Sequence, residues 1–221
     1  PQIEQRGEPA LVIDNTGEMI AKYYNPERGD IIFNPFDMRG KSWDLWKDCS
    51  RQQELEKFAD ILIGFNSRKN NKAANDFWEQ SAHNTFVACA ELMKSYNHTS
   101  TQELYNVLTT SDVGELYNIL EETNAAKYFT GDNARAASSI IAVLMSNLKP
   151  LQFLPDADPT NCFSIKNYTQ AINEGNNPWL FLSTDPSSRE LTQPLNASIL
   201  ELFIASIRKT RAKANNKIWV I

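Results

Sequence analysis

The sequence predicts an α/β protein whose sheet domain is interrupted by an all-helical domain. Short, wholly apolar runs, which are typical of strands buried on both faces of a parallel sheet, occur near the two ends of the 221 residues. Between them nearly every apolar residue follows helical spacing. We therefore predict a sheet domain made of residues 1–41 and 162–221. We predict a helical domain in residues 42–161.

The N-terminal flank predicts two strands joined by a short helix. Residues 10–13 form an apolar run that ends at Asp14, and Asn-Thr-Gly at 15–17 predicts a turn. Residues 18–24 can form a short helix, and residues 31–33 give a second apolar strand before Asn34-Pro35.

The middle of the chain predicts a series of helices. The strongest runs from about Ala73 to Tyr96, and its apolar residues recur every three or four positions, which places them in one stripe: Trp78, Ala82, Phe86, Cys89, Met93 and Tyr96. We expect Ser100, Ser111 and Asp132 to cap the three helices that follow, the last of which stops at Lys149-Pro150.

The C-terminal flank returns to α/β character. Residues 179–182 are an apolar strand, Pro194 fits the first position of a helix, and residues 217–221 begin another strand. The flanks thus supply about four strands, few for a stable parallel sheet. We therefore expect the chain to be a fragment of a longer protein.

Composition excludes several classes of protein. Lys and Arg total 22 and Asp and Glu total 27, so the net charge of −5 argues against a surface coated with nucleic-acid-binding charge. No apolar run approaches the ~18–20 residues of a membrane span, so the chain itself should be soluble. Three widely spaced cysteines indicate reduced thiols, and His83 and His98 form no metal-ligand pair.

No catalytic or metal site can be assembled from the sequence. Gly40-Lys41-Ser42 ends like a phosphate-binding loop, but that loop needs a glycine where this chain has Pro35. Asp14 follows a buried strand, where ligand chemistry clusters in open α/β sheets, although a turn aspartate has the same pattern. We interpret His83, inside the strongest helix, as structural.

Two clusters of positive charge could contact phosphate. Arg68, Lys69 and Lys72 lie in an asparagine-rich segment before the longest predicted helix, and we interpret this segment as a polar loop that contacts a partner or DNA. The cations that follow residue 207 have the pattern of a solvated helix end.

Several ordered motifs together resemble one family. They are VIDNTGE at residues 12–18, DIIFNPFDMR at 30–39, WDLWKDC at 43–49, FWE at 77–79, FSIK at 163–166, WLFLS at 179–183 and PL at 194–195. The combination resembles the type IV secretion coupling proteins, in their TraD-like branch, over essentially the whole chain. Two departures from the family pattern stand at Asn15, where relatives have proline in an Asp-Pro-x-Gly-Glu turn, and at Gln193, where they tend to have a cation.

The resemblance implies a RecA-like nucleotide-binding domain interrupted by an all-α domain. Full-length members are homo-hexameric ATPases at the cytoplasmic face of the inner membrane, which use ATP and Mg²⁺ and link a relaxosome or relaxase–DNA substrate to the secretion channel. By this resemblance Asp14, Gly17 and Glu18 lie next to the nucleotide. The family's phosphate loop and acidic Mg²⁺ motif would fall outside residues 1–221, so we expect this chain alone to hold no cofactor and not to hydrolyse ATP.

The role expected for this segment is recognition of substrate or partner, including single-stranded DNA. An alternative stays open on sequence grounds: the helical domain could be a pure protein-binding module without nucleic-acid contact. An unrelated small enzyme would need a catalytic constellation, which the sequence does not offer.

Overall fold

A computed structural model describes residues 7–69, 76–209 and 217–221 of the chain, with side chains other than those of residues 65–69, 76 and 209. The chain forms two compact units: a sheet unit made of Pro1–Asp48 with Asp156–Ile221, and a helical unit made of Cys49–Pro155. The sequence analysis places the boundaries at residues 42 and 161. The observed boundaries lie a few residues inside the predicted helical domain, after Asp48 and before Asp156. The short segments just inside the two predicted boundaries belong to the sheet unit, where they form hydrogen bonds with each other.

The sheet unit contains six strands and four helices among its described residues. The strands are β1 (Ala10–Asp14), β2 (Ile31–Phe33), β3 (Ser42–Trp43), β4 (Cys162–Phe163), β5 (Trp179–Ser183) and β6 (Trp219–Val220). The helices are α1 (Glu18–Tyr23), α2 (Leu45–Asp48), α8 (Ile165–Asn173) and α9 (Arg189–Lys209), with a 3₁₀ turn at Pro26–Arg28.

Four of these strands form one parallel sheet in the order β2-β5-β1-β6. Along β1 and β5, Ala10 lies opposite Trp179 and Asp14 opposite Ser183. Strands β3 and β4 form a separate parallel pair. The parallel sheet predicted from the apolar runs is confirmed.

Alternate side chains of the sheet face opposite sides, as the pleat requires. On one side Ala10, Val12 and Phe181 pack with Ile20 of α1 in a buried cluster. On the other side the ring of Phe33 lies 6.1 Å from that of Trp43 and 5.8 Å from that of Phe163, measured between centroids. Both faces are thus covered, which explains the wholly apolar strands.

Pro194 lies inside α9 and does not begin it, so the prediction for this helix start was wrong. The helix begins five residues earlier at Arg189, where Ser188 accepts the backbone N–H of Thr192 at 3.1 Å. The proline removes one helical hydrogen bond within the early turns and leaves the rest of the helix intact. Leu195, Ile199 and Phe203 of this helix are buried, as their spacing predicts.

The helical unit contains five helices and no strand among its described residues. They are α3 (Gln52–Lys69), α4 (Asp76–Ser95), α5 (Thr101–Thr110), α6 (Val113–Leu120) and α7 (Ala134–Asn147), with 3₁₀ segments at Asn124–Phe129, Gly131–Asn133 and Lys149–Phe153. No helix in the described ranges combines the length and apolarity needed to cross a bilayer.

The predicted stripe of α4 is buried only in its middle. Ala82, Phe86 and Cys89 are completely buried, and the ring of Phe86 packs against that of Phe58 of α3 with centroids 6.0 Å apart. Trp78 is half-buried and Tyr96 is 65% exposed, so the prediction that both ends face the core was wrong. Among the described residues, α3 packs against the centre of α4 through Phe58.

The helix caps differ from the predictions at two of three positions. Ser100 caps α5 as predicted, accepting the backbone N–H of Glu103 at 2.9 Å. Asp112, not Ser111, caps α6, where it forms a reciprocal capping box with Glu115. The N-cap position of α7 is Asn133, one residue after the predicted Asp132. A run of adjacent polar residues offers several caps, and packing of the helix selects one.

Candidate functional site

The carboxyl ends of β1, β2 and β5 open into a cleft of about 810 Å³ in the sheet unit. The connection from β1 leads past β5 to β2, whereas that from β5 leads past β1 to β6. The loops that follow β1 and β5 therefore diverge, which creates a crevice between the two strands. In open parallel sheets such a crevice is the usual place for a ligand, and its volume lies within the range of about 300–1,000 Å³ found for ligand pockets.

The turn after β1 is built around the buried carboxylate of Asp14. Its Oδ1 accepts the backbone N–H of Gly17 at 2.8 Å, and its Oδ2 accepts that of Ile20 at 2.9 Å. Gly17 stands at the N-cap of α1 with φ of 77°, a left-handed conformation that favours glycine. Asp14 therefore holds the turn, while Gly17 lines the cleft and Glu18 is exposed.

The loop after β2 is folded back by hydrogen bonds to its own backbone. Asn34 Oδ1 accepts the N–H of Phe36 at 3.0 Å, and the N–H of Gly40 donates to Asp37 O at 2.8 Å. A Cβ on Gly40 would lie 2.8 Å from Asn34 O and 2.9 Å from Asp37 O, so only glycine fits there. Gly40 is therefore part of a tight turn. This agrees with the sequence argument against a phosphate-binding loop at Gly40-Lys41-Ser42.

Arg39 is the single cation among the described residues that line the cleft. Its guanidinium donates to Asp37 through Nε at 3.0 Å and Nη2 at 2.8 Å. This hydrogen bond lowers the pKa of the Asp37 carboxyl below its ordinary value. The pair orients the guanidinium at the rim of the cleft, and Phe36 and Met38 beside it are exposed.

The loop after β5 adds hydroxyl groups and one further carboxylate. Asp185 Oδ1 accepts the N–H of Ser187 at 2.8 Å, and the hydrogen bond from the Ser187 hydroxyl lowers the pKa of Asp185. Below the loop, the hydroxyl of Thr184 accepts a hydrogen bond from Asn196 Nδ2 at 3.0 Å. The cleft is thus lined by hydroxyl and amide groups on fixed turns.

This lining suits binding of a polar ligand better than acid–base chemistry. Among the lining residues that the structure describes, the ionisable side chains are Asp37, Arg39 and Asp185, and there is no histidine, cysteine or lysine. Within the described ranges, no three His, Cys, Asp or Glu side chains come together as metal ligands, so we assign no metal ion to them.

The three predicted partner-binding cations lie at and beyond the end of α3. Arg68 and Lys69 belong to the last turn of this helix, so the prediction of a loop there was wrong for both. Lys72 lies outside the described residues. The helical periodicity of α3 therefore continues further along the asparagine-rich segment than its composition suggested.

His83 has a structural environment, as predicted. Its Nε2 lies 3.1 Å from the carbonyl oxygen of Glu56 and 3.2 Å from Asp60 Oδ1, both in α3. The side chain is 13% exposed. His83 therefore links α4 to α3.

Sequence reasoning did not single out Arg39 or the 183–188 loop as parts of a site. Both lie in the loops that follow buried strands, as the turn after Asp14 does. A rule that collects the polar residues immediately after every apolar strand would have found them, because carboxyl ends of parallel strands share one edge.

The fold and the cleft define an α/β protein with a parallel sheet and a ligand-binding edge. A family model described as the type IV secretion-system coupling protein DNA-binding domain matches residues 1–221. The chain therefore belongs to the type IV secretion coupling proteins, as the motifs indicated.

A curated relative and several solved structures are similar to this chain. The coupling protein TraD of Escherichia coli (strain K12) is 28% identical over 217 residues, which are 97% of this chain and 29% of TraD. The unbound structure of the bacterial conjugative coupling protein TrwBdeltaN70 matches with a TM-score of 0.81 at 21% identity, over 99% of this chain and 49% of that chain. TrwB in complex with ADP and Mg²⁺ matches with a TM-score of 0.82 at 22% identity, over 99% of this chain and 50% of that chain. The chain thus spans less than a third of TraD and about half of the TrwB chains.

Proposed function

We propose that this chain is the central part of a conjugative coupling ATPase, in which the helical unit recognises the transferred substrate. The observation that carries the proposal is the match of the coupling-protein DNA-binding domain to the whole chain. In this proposal the sheet unit is part of a RecA-like nucleotide-binding domain, and the helical unit is an all-α insertion within it.

The cleft supports the proposal that the sheet unit lies beside a bound nucleotide. TrwB has been solved in complex with ADP and Mg²⁺ and with a non-hydrolysable ATP analogue. In our proposal Asp14, Gly17 and Glu18 shape the edge of the sheet next to the nucleotide, with Asp14 holding the turn.

The whole protein, in this proposal, is a homo-hexamer at the cytoplasmic face of the inner membrane. It connects a relaxosome or relaxase–DNA substrate to components of the secretion channel. The resemblance to TraD supports these assignments. In this proposal the helical unit contributes binding and no chemistry.

The positive charge that precedes α4 is the proposed contact with DNA. Residues 61–75 contain Arg68, Lys69 and Lys72 and no Asp or Glu, although the chain as a whole is acidic. Cations that neutralise phosphates release counterions, so binding should weaken steeply as salt rises.

The test is Arg68→Ala/Lys69→Ala/Lys72→Ala in the full-length protein. We expect weaker binding to single-stranded DNA, a salt slope reduced by up to about 2 because single strands give about 0.7 per phosphate contact, and loss of substrate transfer with basal ATPase activity retained. The matched control, Lys127→Ala/Arg135→Ala/Lys149→Ala, removes three exposed cations elsewhere in the helical unit and should change none of these.

Two outcomes would contradict this assignment. Unchanged DNA binding and transfer would show that these three cations are not part of the DNA-binding site. Equal loss of basal ATPase activity would indicate a role in assembly of the hexamer. If transfer falls while DNA binding and its salt slope are unchanged, the segment binds a protein partner, which is the alternative that the sequence left open.

A further inference from the structure

An exposed aromatic side chain stands at the first turn of α4 in the helical unit. The Phe77 ring is 60% exposed, among the largest exposures of an aromatic side chain in the described residues. The half-buried Trp78 meets it edge to face, with ring centroids 4.9 Å apart and an interplanar angle of 77°. Trp78 therefore supports one side of the Phe77 ring and holds its orientation, while the ring presents most of its surface to solvent.

The helix face that continues from Phe77 carries two amide side chains. Gln80 and Asn84 follow at positions three and seven residues further along the helix, so they lie on the same face. Gln80 Nε2 donates to Asn84 Oδ1 at 3.0 Å, and Asn84 Nδ2 donates to the hydroxyl of Tyr128 at 3.1 Å. We call Phe77, Gln80, Asn84 and Tyr128 the aromatic–amide row.

Such a row has the composition of a surface that binds unpaired bases. Aromatic rings stack on bases of any sequence, and amide groups can form hydrogen bonds to base edges. The charge next to it is favourable for a polyanion: the fifteen residues 61–75 contain three cations and no acid.

We propose that Phe77 is a stacking platform for an unpaired base of single-stranded DNA bound by the helical unit. This inference rests on the proposed function and adds the form of the DNA and the residue that binds its bases. Bases in a duplex are stacked on one another, so an aromatic side chain on a helix surface cannot reach their faces without unstacking them. The row therefore favours single strands over duplexes.

The experiment measures binding of the 221-residue chain to a fluorescein-labelled oligo(dT) of 20 nucleotides at low and moderate salt. Because stacking on an aromatic ring stabilises each bound base, Phe77→Ala should weaken binding by roughly tenfold, and Phe77→Trp should restore it. The salt slope should stay unchanged, since it counts phosphate contacts and not base contacts. A duplex of the same sequence should bind more weakly, with little response to Phe77→Ala.

Tyr96→Ala is the matched control, because Tyr96 is a 65% exposed aromatic at the other end of the same helix. It should leave the affinity unchanged. Circular dichroism and thermal unfolding of each variant show whether the fold is retained, as we expect for an exposed side chain.

Equal affinity of Phe77→Ala and the unmodified chain for oligo(dT) overturns this inference and leaves the proposed function intact. An equal loss of affinity in Tyr96→Ala also overturns it, since stacking would not be local to Phe77. Absence of any salt-dependent binding to single strands by the unmodified chain contradicts both this inference and the DNA-binding part of the proposed function.

Discussion

Among single residues, Asp48 links segments of the sheet unit that are more than a hundred positions apart in sequence through the hydrogen bonds that its carboxylate accepts. Its Oδ2 accepts the indole N–H of Trp43 and the backbone N–H of Ile165, each at 2.7 Å. Its Oδ1 accepts the backbone N–H of Lys166 at 3.0 Å. Asp48 is 2% exposed, and it joins the end of α2 to the start of α8, the two points between which the helical unit is inserted in the chain.

Burial raises the pKa of Asp48 above its ordinary value, although these hydrogen bonds oppose the shift. The folded chain then holds this proton at a pH where the unfolded chain has lost it. The contribution of Asp48 to the free energy of unfolding is therefore complete below the ordinary pKa of the carboxyl and is lost as pH rises through the raised value.

Asp48→Asn should remove this dependence on pH. As pH rises from acid to neutral, the unmodified chain should lose free energy of unfolding relative to the variant, by at most about 1.4 kcal/mol per pH unit for one proton. Urea denaturation at a series of pH values measures the difference. Asp37→Asn is a control of opposite sign, because the hydrogen bond from Arg39 lowers the pKa of Asp37. A difference for Asp48→Asn that is constant with pH would contradict the prediction.

Among the elements, α4 contributes to the core of the helical unit through the middle of its stripe. Phe86 is completely buried against Phe58, whereas Trp78 is half-buried. The same periodicity in sequence therefore corresponds to different burial along one helix. Substitutions along the stripe should differ in their cost accordingly.

Phe86→Ala should lower the free energy of unfolding by about 3–5 kcal/mol, because it leaves a cavity in the packed interior. Trp78→Ala should cost about 1–2 kcal/mol, since a half-buried ring gives up less apolar surface and its neighbours can relax. Chemical denaturation of both variants measures the two values. A cost for Trp78→Ala equal to that of Phe86→Ala would mean that the first turn of α4 is as well packed as its centre.

In the whole molecule, the division into two compact units makes a prediction about folding. The helical unit has its own core, which includes Phe58, Phe86, Leu104, Leu116 and Leu144, all completely buried. A unit of this size with an internal core can fold alone.

Residues 49–155 expressed alone should therefore be helical and unfold cooperatively. Far-ultraviolet circular dichroism and thermal unfolding measure this, and Phe86→Ala in the same piece should lower the unfolding midpoint. A piece that lacks helical signal, or that unfolds without a transition, would show that its core depends on the remainder of the chain.

The sequence by itself determined the class of fold, the course of most helices and the family. Apolar runs such as residues 179–182 predicted strands, and the spacing around Phe86 predicted a buried helix face, because these patterns follow from backbone geometry within a few residues. The ordered motifs indicated the coupling proteins, and the family match bore this out.

Only the tertiary structure decided which residues meet and which remain exposed. The order β2-β5-β1-β6 brings Gly17, Arg39 and Asp185 to one cleft, although they lie up to 168 positions apart. Phe77, beside the predicted stripe, and Tyr96, within it, are exposed, whereas Phe86 at the centre of α4 is buried. Strand order and helix coverage depend on contacts between distant segments, and local periodicity carries no information about those contacts.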